Sequence, residues 1–325
     1  MATTTTDVST SIHVPPFAEH DKLGPLGAKT SVIDNDAELR RALVAEFSAA
    51  TDATRAAAGN PDAQTAVHEY RKALRRARAV LSLVADALPK SERRAVRRAL
   101  QEARRAVGHA RDHVVAPETL ATLPLAEVER EAANAILATA HEAKPQAAEI
   151  KQLLAEGAAR TAAQLEALQA ALPPELAWKS VVKGVKSVYA AARHARRAAK
   201  RSKRAFHAWR RRSKELAYQL DVLSSFAGNH VLELHAEFDG VADTQSPAVD
   251  LVMVRDFVRT YGQSVAPEAL GQLVAAIETQ LDDLMRDSRA AGKAAFATKP
   301  QQFGRRLTKL VRRDLTPNSH EEPAA

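Results

Sequence analysis

Residues Val67 to Arg78 read VHEYRKALRRAR, and this stretch indicates how the chain folds. On an α-helix, which turns by about 100° per residue, six basic side chains fall on or beside one face: His68, Arg71, Lys72, Arg75, Arg76 and Arg78. Tyr70 and Leu74 fall on the opposite face with other apolar residues. A helix that is apolar on one side and densely cationic on the other buries the first side and presents the second.

The pattern returns in altered form at Phe206 to Tyr218, which read FHAWRRRSKELAY. The basic face of this second stretch holds four residues: His207, Arg210, Arg211 and Lys214. The two histidines lie 139 residues apart (207 − 68), which predicts a duplicated unit. The copies are unequal, because Glu215 and Ala217 stand where the first copy has Arg76 and Arg78.

The composition predicts an all-helical protein. The chain has 325 residues, enough for two domains or for one duplicated domain with a sizeable core. Strong helix formers such as Ala, Leu, Arg and Glu dominate, while glycine is limited to 12 residues and aromatic residues to 4%. No stretch shows the sustained alternation of apolar and polar residues that indicates a strand.

Cysteine usage and hydropathy favour a cytoplasmic protein without a membrane partner. Cysteine is absent, which excludes a disulfide framework and a thiolate metal site and fits a reducing cytoplasm. No apolar run approaches the roughly 18 residues of a transmembrane helix. The first residues, MATTTTDVSTSIHVPPF, lack the basic and apolar regions of a secretory signal.

Proline and glycine residues divide the chain into predicted elements. Besides the second signature stretch, we expect helices at about 32–58, 61–87, 91–114, 125–143, 146–171, 176–200, 247–261, 267–297 and 300–313, and a short segment at 232–238. Asn60 is the expected N-cap of the first signature helix. Pro173-Pro174 divides two helical repeats, and tails expected to be disordered flank them. The predicted units are 1–31 (tail), 32–172, 173–313 and 314–325 (acidic tail).

Positive charge is concentrated on particular helices. The net charge is +8, but the segment from Lys179 to Lys214 carries fourteen Lys or Arg residues and no acid. Further basic rows lie on three predicted helices: Arg94, Arg97, Arg98 and Arg105; Lys183, Lys186, Arg193 and Arg197; Arg305 and Lys309. Arg104 lies at the edge of the first row. Such concentration favours a polyanionic partner: nucleic acid, an acidic membrane surface or a phosphate polymer.

The two signature stretches resemble the paired signatures of the CHAD family, the conserved-histidine α-helical domain. The first copy reads His-x-x-Arg-Lys-x-x-Arg-Arg-x-Arg from His68 to Arg78. Arg111-Asp112 resembles the Arg-Asp element of the family, with Asp250-Leu-Val as its degenerate counterpart in the second half. The spacing of Tyr189, Arg193 and Arg197 resembles the basic helix that opens the second repeat. The resemblance covers about residues 32 to 313.

This resemblance implies two pseudo-symmetric four-helix bundles with basic residues lining a shared central groove or pore. It also implies binding of inorganic polyphosphate and association with polyphosphate granules in the bacterial cytoplasm. Some relatives add a triphosphatase module whose entry carries Glu-x-Glu-x-Lys. The nearest string here, at 127–131, ends in Glu131 where that motif has lysine, so we expect a stand-alone CHAD protein.

The chemistry of the basic rows suits a phosphate polymer. Polyphosphate carries closely spaced negative charges and no bases, and arginine chelates two phosphate oxygens with its planar fork. The predicted polyphosphate-binding set comprises both signature faces and the three further basic rows. His68 and His207 begin the signature faces, and a polyanion favours a protonated histidine. Binding is therefore expected to tighten between about pH 8 and 6.

Two other function classes remain open. The first is nucleic-acid or nucleoid binding, because basic helices also suit DNA phosphates; a concave groove admits a thin polymer, whereas a convex basic face favours a duplex. The second is a phosphatase or triphosphatase. The sequence offers no carboxylate set, Gly-rich phosphate loop or nucleophile elbow for catalysis, so we expect no enzyme activity and no cofactor.

A metal site is a weaker alternative. His109 and His113 lie four residues apart next to Asp112, as in a metal-binding pair, but the sequence shows no clear third ligand. Asp112 is instead expected to orient Arg111 or another basic side chain. We therefore predict no metal site.

Overall fold

The computed structural model describes residues 32–200 and 202–315, and these residues contain helices and no strand. The all-helical prediction is thereby confirmed for this part of the chain. The helices are α1 (Asp36–Ala58), α2 (Ala63–Leu83), α3 (Lys90–Ala106), α4 (Gly108–Ala121), α5 (Glu127–Glu142), α6 (Ala147–Ala171), α7 (Trp178–Ala198), α8 (Lys203–Ala227), α9 (Asn229–Thr244), α10 (Ser246–Tyr261), α11 (Pro267–Ala295) and α12 (Pro300–Leu315). The predicted tails lie outside the described residues, except for the last residues of α12.

The first signature helix begins later than predicted. Its N-cap is Asp62, whose side chain accepts a hydrogen bond from the backbone N–H of Thr65 at 2.7 Å. The predicted cap, Asn60, instead accepts from the backbone N–H of Asp62 at 2.9 Å and so shapes the preceding turn. A carboxylate at the N-cap satisfies a backbone donor that has no partner within the helix.

The predicted helix at 91–114 is wrong, because the chain bends at Val107 and forms two helices. Val107 has non-helical backbone angles (φ −97°, ψ 13°) between α3 and α4. The two helices pack on different partners, α3 on α6 and α4 on α10. The break at Val107 lets each helix follow its own partner. The short segment predicted at 232–238 is part of the full helix α9.

The helices pack in three groups. Helices α1, α2, α3 and α6 contact one another, and α7, α8, α9 and α12 form a second group. The third group joins the two predicted halves: α4 of the first half packs against α10 of the second, and α5 packs against α11. The two signature helices, α2 and α8, pack directly on each other and join the first two groups.

Aromatic side chains anchor the apolar faces of both signature helices. Tyr70 of α2 and Trp209 of α8 occupy equivalent positions in the two stretches and are fully buried. A Cβ atom at Gly157 would lie 2.0 Å from the hydroxyl oxygen of Tyr70, and one at Gly292 would lie 2.4 Å from the Trp209 ring. Close packing on these rings therefore requires glycine. No helix of the described residues is long and apolar enough to cross a membrane.

Candidate functional site

Seven arginines from α2, α3, α4 and α8 lie close enough for their charges to act on one another. We call this set the arginine cluster: Arg71, Arg75, Arg78, Arg104, Arg111, Arg210 and Arg211. Helices α2 and α8 contribute both of their basic faces because they pack on each other. Five of the seven belong to the predicted set of polyphosphate-binding residues.

Burial and like-charge repulsion lower the pKa values of Arg71 and Arg210. Burial lowers the pKa of Arg71 to about 10, and the positive charges of Arg111, Arg104 and Arg75 act in the same direction. Burial, followed by the charge of Arg75, lowers the pKa of Arg210 to about 10. Both side chains stay protonated at neutral pH. The fold thus holds positive charges together in partly desolvated positions, where each disfavours the others.

The cluster extends onto the exposed face of α3. Burial lowers the pKa of Arg78, with the charges of Arg104 and Arg97 contributing, and burial likewise lowers the pKa of Arg104, with Arg105 contributing. Arg94, Arg97, Arg98 and Arg105 are exposed. Within the described residues, none of these four pairs with a carboxylate. This row therefore continues the positive surface outward from the cluster.

Specific contacts hold individual arginines in place. Arg75 donates from Nε to the carbonyl oxygen of Arg71 at 3.2 Å, and its guanidinium lies 5.5 Å from the centre of the Tyr218 ring. Arg210 donates to the hydroxyl of Ser246 at 3.0 Å. The Arg75 stack is a cation–π contact, which orients the guanidinium without neutralising its charge.

Arg111 is held by two carboxylates. It donates to Asp112 at 3.2 Å and to Asp250 at 2.5 Å. The contact with Asp112 agrees with the orienting role that the sequence suggested for this carboxylate. The pair with Asp250 connects α4 to α10.

Two predicted binding residues of the signature helices are neutralised within the fold. Arg76 pairs with Glu46 at 2.6 Å and also with Asp221, and so connects α2 to α1 and α8. Lys214 pairs with Asp239 at 2.7 Å and with Asp243 at 2.8 Å, which connects α8 to α9. Because an anionic ligand would have to displace these carboxylates, both side chains act first as structural links.

The two signature histidines have different surroundings. His68 is exposed, with Nε2 3.9 Å from the carboxylate of Glu69. His207 is half-buried, and burial, together with the positive charges of Arg255 and Arg211, lowers its pKa. Lys72, the remaining residue of the first basic face, is also half-buried.

The other predicted basic residues lie on a separate surface formed by α7 and α12. Lys186, Arg305 and Lys309 line a shallow cleft of about 450 Å³ together with Arg312. The charges that act on the pKa values of Arg71, Arg78, Arg104 and Arg210 belong to residues outside this cleft. The predicted set of binding residues therefore divides between two surfaces.

Two further residues of α7 have local partners. Arg193 donates to the carbonyl oxygens of Phe296 and Ala297, at 3.1 and 3.3 Å, where α11 ends. Lys183 pairs with Asp86 at 2.6 Å. Arg197 is exposed beside Arg196 and contributes to the lowered pKa of that neighbour.

Arg104 and Arg111 are cluster members that the sequence-based set omits. Arg104 appeared only at the edge of a basic row, because its proximity to α2 and α8 depends on tertiary packing. The sequence predicts Arg111 on the same straight helix as Arg94, whereas the bend at Val107 places it on α4. The Arg-Asp element was the available signal for Arg111.

The described residues contain no group of three or more His, Asp or Glu side chains arranged to hold a metal ion. No curated protein matches the chain. The family model described as "CHAD domain" matches residues 39–259, about two thirds of the chain and all seven members of the arginine cluster. The chain therefore belongs to the CHAD domain family.

Proposed function

We propose that this protein binds inorganic polyphosphate at the arginine cluster and does not hydrolyse it. The observation that carries the proposal is the convergence of seven arginines from four helices, with the pKa values of Arg71 and Arg210 lowered to about 10. Within the described residues, Arg111 is the member whose charge is paired with carboxylates, Asp112 and Asp250, and the other six form no salt bridge. A bound polyanion relieves this mutual repulsion and accepts charge-assisted hydrogen bonds. The CHAD family is linked to polyphosphate binding in general, which agrees with this chemistry.

The cluster suits a polymer without bases. Recognition of single-stranded nucleic acid uses exposed aromatic rings on which bases stack. Here Tyr70, Trp209 and Tyr189 are buried in the core. The half-buried ring of Tyr218 faces the guanidinium of Arg75. The site therefore offers many phosphate ligands and little surface for bases.

We infer that α2 and α8 are the equivalent helices of two related units. Tyr70 and Trp209, and likewise Arg71 and Arg210, are separated by the same 139 positions. The packing of α2 on α8 brings the two copies of the basic face together, as a pseudo-twofold axis between them requires. Division of the chain into 32–172 and 173–313 follows from this duplication. The groove between the bundles is the proposed binding surface.

A competition experiment distinguishes polyphosphate from nucleic acid. Labelled polyphosphate is bound to the full chain at near-physiological salt and challenged with duplex DNA. We expect DNA to compete poorly at equal phosphate concentration, because the proposed groove would admit a thin chain more readily than a duplex. Equal competition per phosphate would instead support the nucleic-acid alternative, which the exposed row on α3 favours.

Two further measurements address catalysis and location. Incubation with polyphosphate or triphosphate and Mg²⁺ should release no phosphate above the rate without protein; sustained release would show an enzyme. We also propose that the protein associates with cytoplasmic polyphosphate granules. A fluorescent fusion should co-localise with granules in a polyphosphate-storing bacterium, and replacement of cluster arginines should disperse it.

A further inference from the structure

Three potential metal ligands meet at the junction of α4 and α10. Nε2 of His113 lies 3.0 Å from Nε2 of His109 and 3.0 Å from the hydroxyl oxygen of Tyr261. The third side of this triangle, from His109 Nε2 to the hydroxyl oxygen, measures 2.9 Å. The sequence shows the histidine pair alone. Its partner Tyr261 lies 148 residues beyond His113 and reaches it only through tertiary packing.

Hydrogen bonding accounts for two of these three contacts at most. Each Nε2 carries either one hydrogen or one lone pair, and the tyrosine hydroxyl carries one hydrogen. If the hydroxyl donates to one histidine and accepts from the other, the two imidazole nitrogens have no hydrogen between them. Other arrangements also leave one side of the triangle without its own hydrogen. A cation bound to all three atoms removes this deficit.

The triangle has the dimensions of one face of a metal coordination sphere. Ligand atoms about 2.1 Å from a metal and at right angles to one another are separated by about 3.0 Å. We propose that His109, His113 and Tyr261 form a binding site for a divalent first-row transition metal, with water in the remaining positions. Imidazole nitrogen and phenolate oxygen suit metals of the copper, nickel and zinc class better than Mg²⁺ or Ca²⁺.

The surroundings of the three ligands are compatible with metal binding. His113 is 7% exposed, and its ring packs edge-on against Phe257 at a centroid distance of 5.4 Å. Burial, together with His109 and Lys144, lowers the pKa of His113, while Asp112 opposes the shift. His109 is exposed, which leaves the site open to solvent.

Copper(II) is the most sensitive probe, because it binds nitrogen and oxygen ligands most tightly among the divalent first-row metals. Equilibrium dialysis of the full chain against Cu²⁺, in a weakly competing buffer, should show one tight site per chain. Coordination by phenolate should also give a visible charge-transfer absorption band. This band reports tyrosine specifically and does not arise from copper on exposed histidines.

The variants His109→Gln and Tyr261→Phe test the assignment. Each should weaken Cu²⁺ binding by about 100-fold or more, because loss of a ligand should exceed the 10–100-fold that loss of a supporting group costs. Tyr261→Phe should also abolish the charge-transfer band. Exposed His194 on α7 gives the matched control, and His194→Gln should retain both the affinity and the band.

Both test substitutions spare the buried imidazole of His113, and Tyr261→Phe preserves the ring. Unchanged thermal unfolding of the metal-free variants will show that they fold. Retention of tight binding in Tyr261→Phe would overturn the proposal. Equal loss in the His194→Gln control would do the same, because it would assign copper to surface histidines. Polyphosphate binding by these variants is measured in parallel, so failure of either proposal is distinguishable from failure of the other.

Discussion

Replacement of Arg71 by glutamine should stabilise the ligand-free protein and weaken its binding of polyphosphate. Arg71 is half-buried, and burial followed by the charges of Arg111, Arg104 and Arg75 lowers its pKa to about 10. A group whose charged form is disfavoured in the folded state destabilises the fold wherever it is charged. For Arg71 this penalty is fully present at pH 7 and declines only as the pH rises through about 10.

The magnitude follows from the shift in pKa. The fall from the ordinary value of arginine to about 10 corresponds to an upper limit of about 3 kcal/mol. Solvent screening at a half-buried site reduces this to about 1–2 kcal/mol. Glutamine retains part of the aliphatic stem, so little packing is lost. One or two lost charge-assisted hydrogen bonds to phosphate should weaken binding by about 10- to 100-fold.

Urea denaturation at pH 7 and low ionic strength measures the first effect, and polyphosphate titration of the same protein measures the second. Arg286→Gln is the matched control, because Arg286 is exposed on α11 and pairs with Asp283 at 2.6 Å. We expect the control to change the free energy of unfolding by less than about 0.5 kcal/mol. The reasoning would be refuted if Arg71→Gln destabilised the protein while polyphosphate affinity stayed unchanged.

Three other predictions concern a histidine, a charge link and a glycine. Because the pKa of His207 is lowered in the free protein, this histidine should still take up a proton on polyphosphate binding below pH 6.5. Polyphosphate affinity should therefore continue to rise below pH 6. Titrations from pH 8 to 5.5 should show this slope, and an unchanged slope in His207→Gln would contradict it. Arg76→Gln leaves two carboxylates without their partner and should lower the free energy of unfolding by about 1–3 kcal/mol in urea denaturation; an unaltered midpoint would show that the link contributes nothing. Gly292→Ala forces a Cβ against Trp209 and should lower the free energy of unfolding by about 1–3 kcal/mol. Gly271→Ala, in the same helix and with no atom within 4 Å of the added Cβ, should raise it by up to about 1 kcal/mol. Thermal unfolding that ranks the two variants in the opposite order would contradict the packing described.

The sequence predicted the faces of single helices well, because helical periodicity is a local property. Tyr70 and Trp209 are fully buried, whereas the arginines that follow them, Arg71 and Arg210, are only half-buried, as their spacing indicates. The bend at Val107 was missed, since it depends on α3 and α4 packing against different partners.

Ion pairing and metal ligation required the tertiary structure. Arg76 and Asp221 lie 145 residues apart in the chain, and no pattern in either helix identifies the other as its partner. The same holds for His109 and Tyr261, which are separated by 152 residues. Helical periodicity shows which side chains share a face, but the contact between two faces is set by packing in three dimensions.

The most direct test of the arginine cluster compares two triple variants in one polyphosphate titration at constant salt. The first replaces Arg71, Arg75 and Arg104 of the cluster with glutamine. The second replaces Arg41, Arg130 and Arg286, which are exposed and pair with acids on their own helices. Both remove three positive charges, so long-range attraction falls equally. We predict that affinity falls by about 100-fold or more in the first variant and by less than about 3-fold in the second; equal losses would contradict a defined site at the cluster.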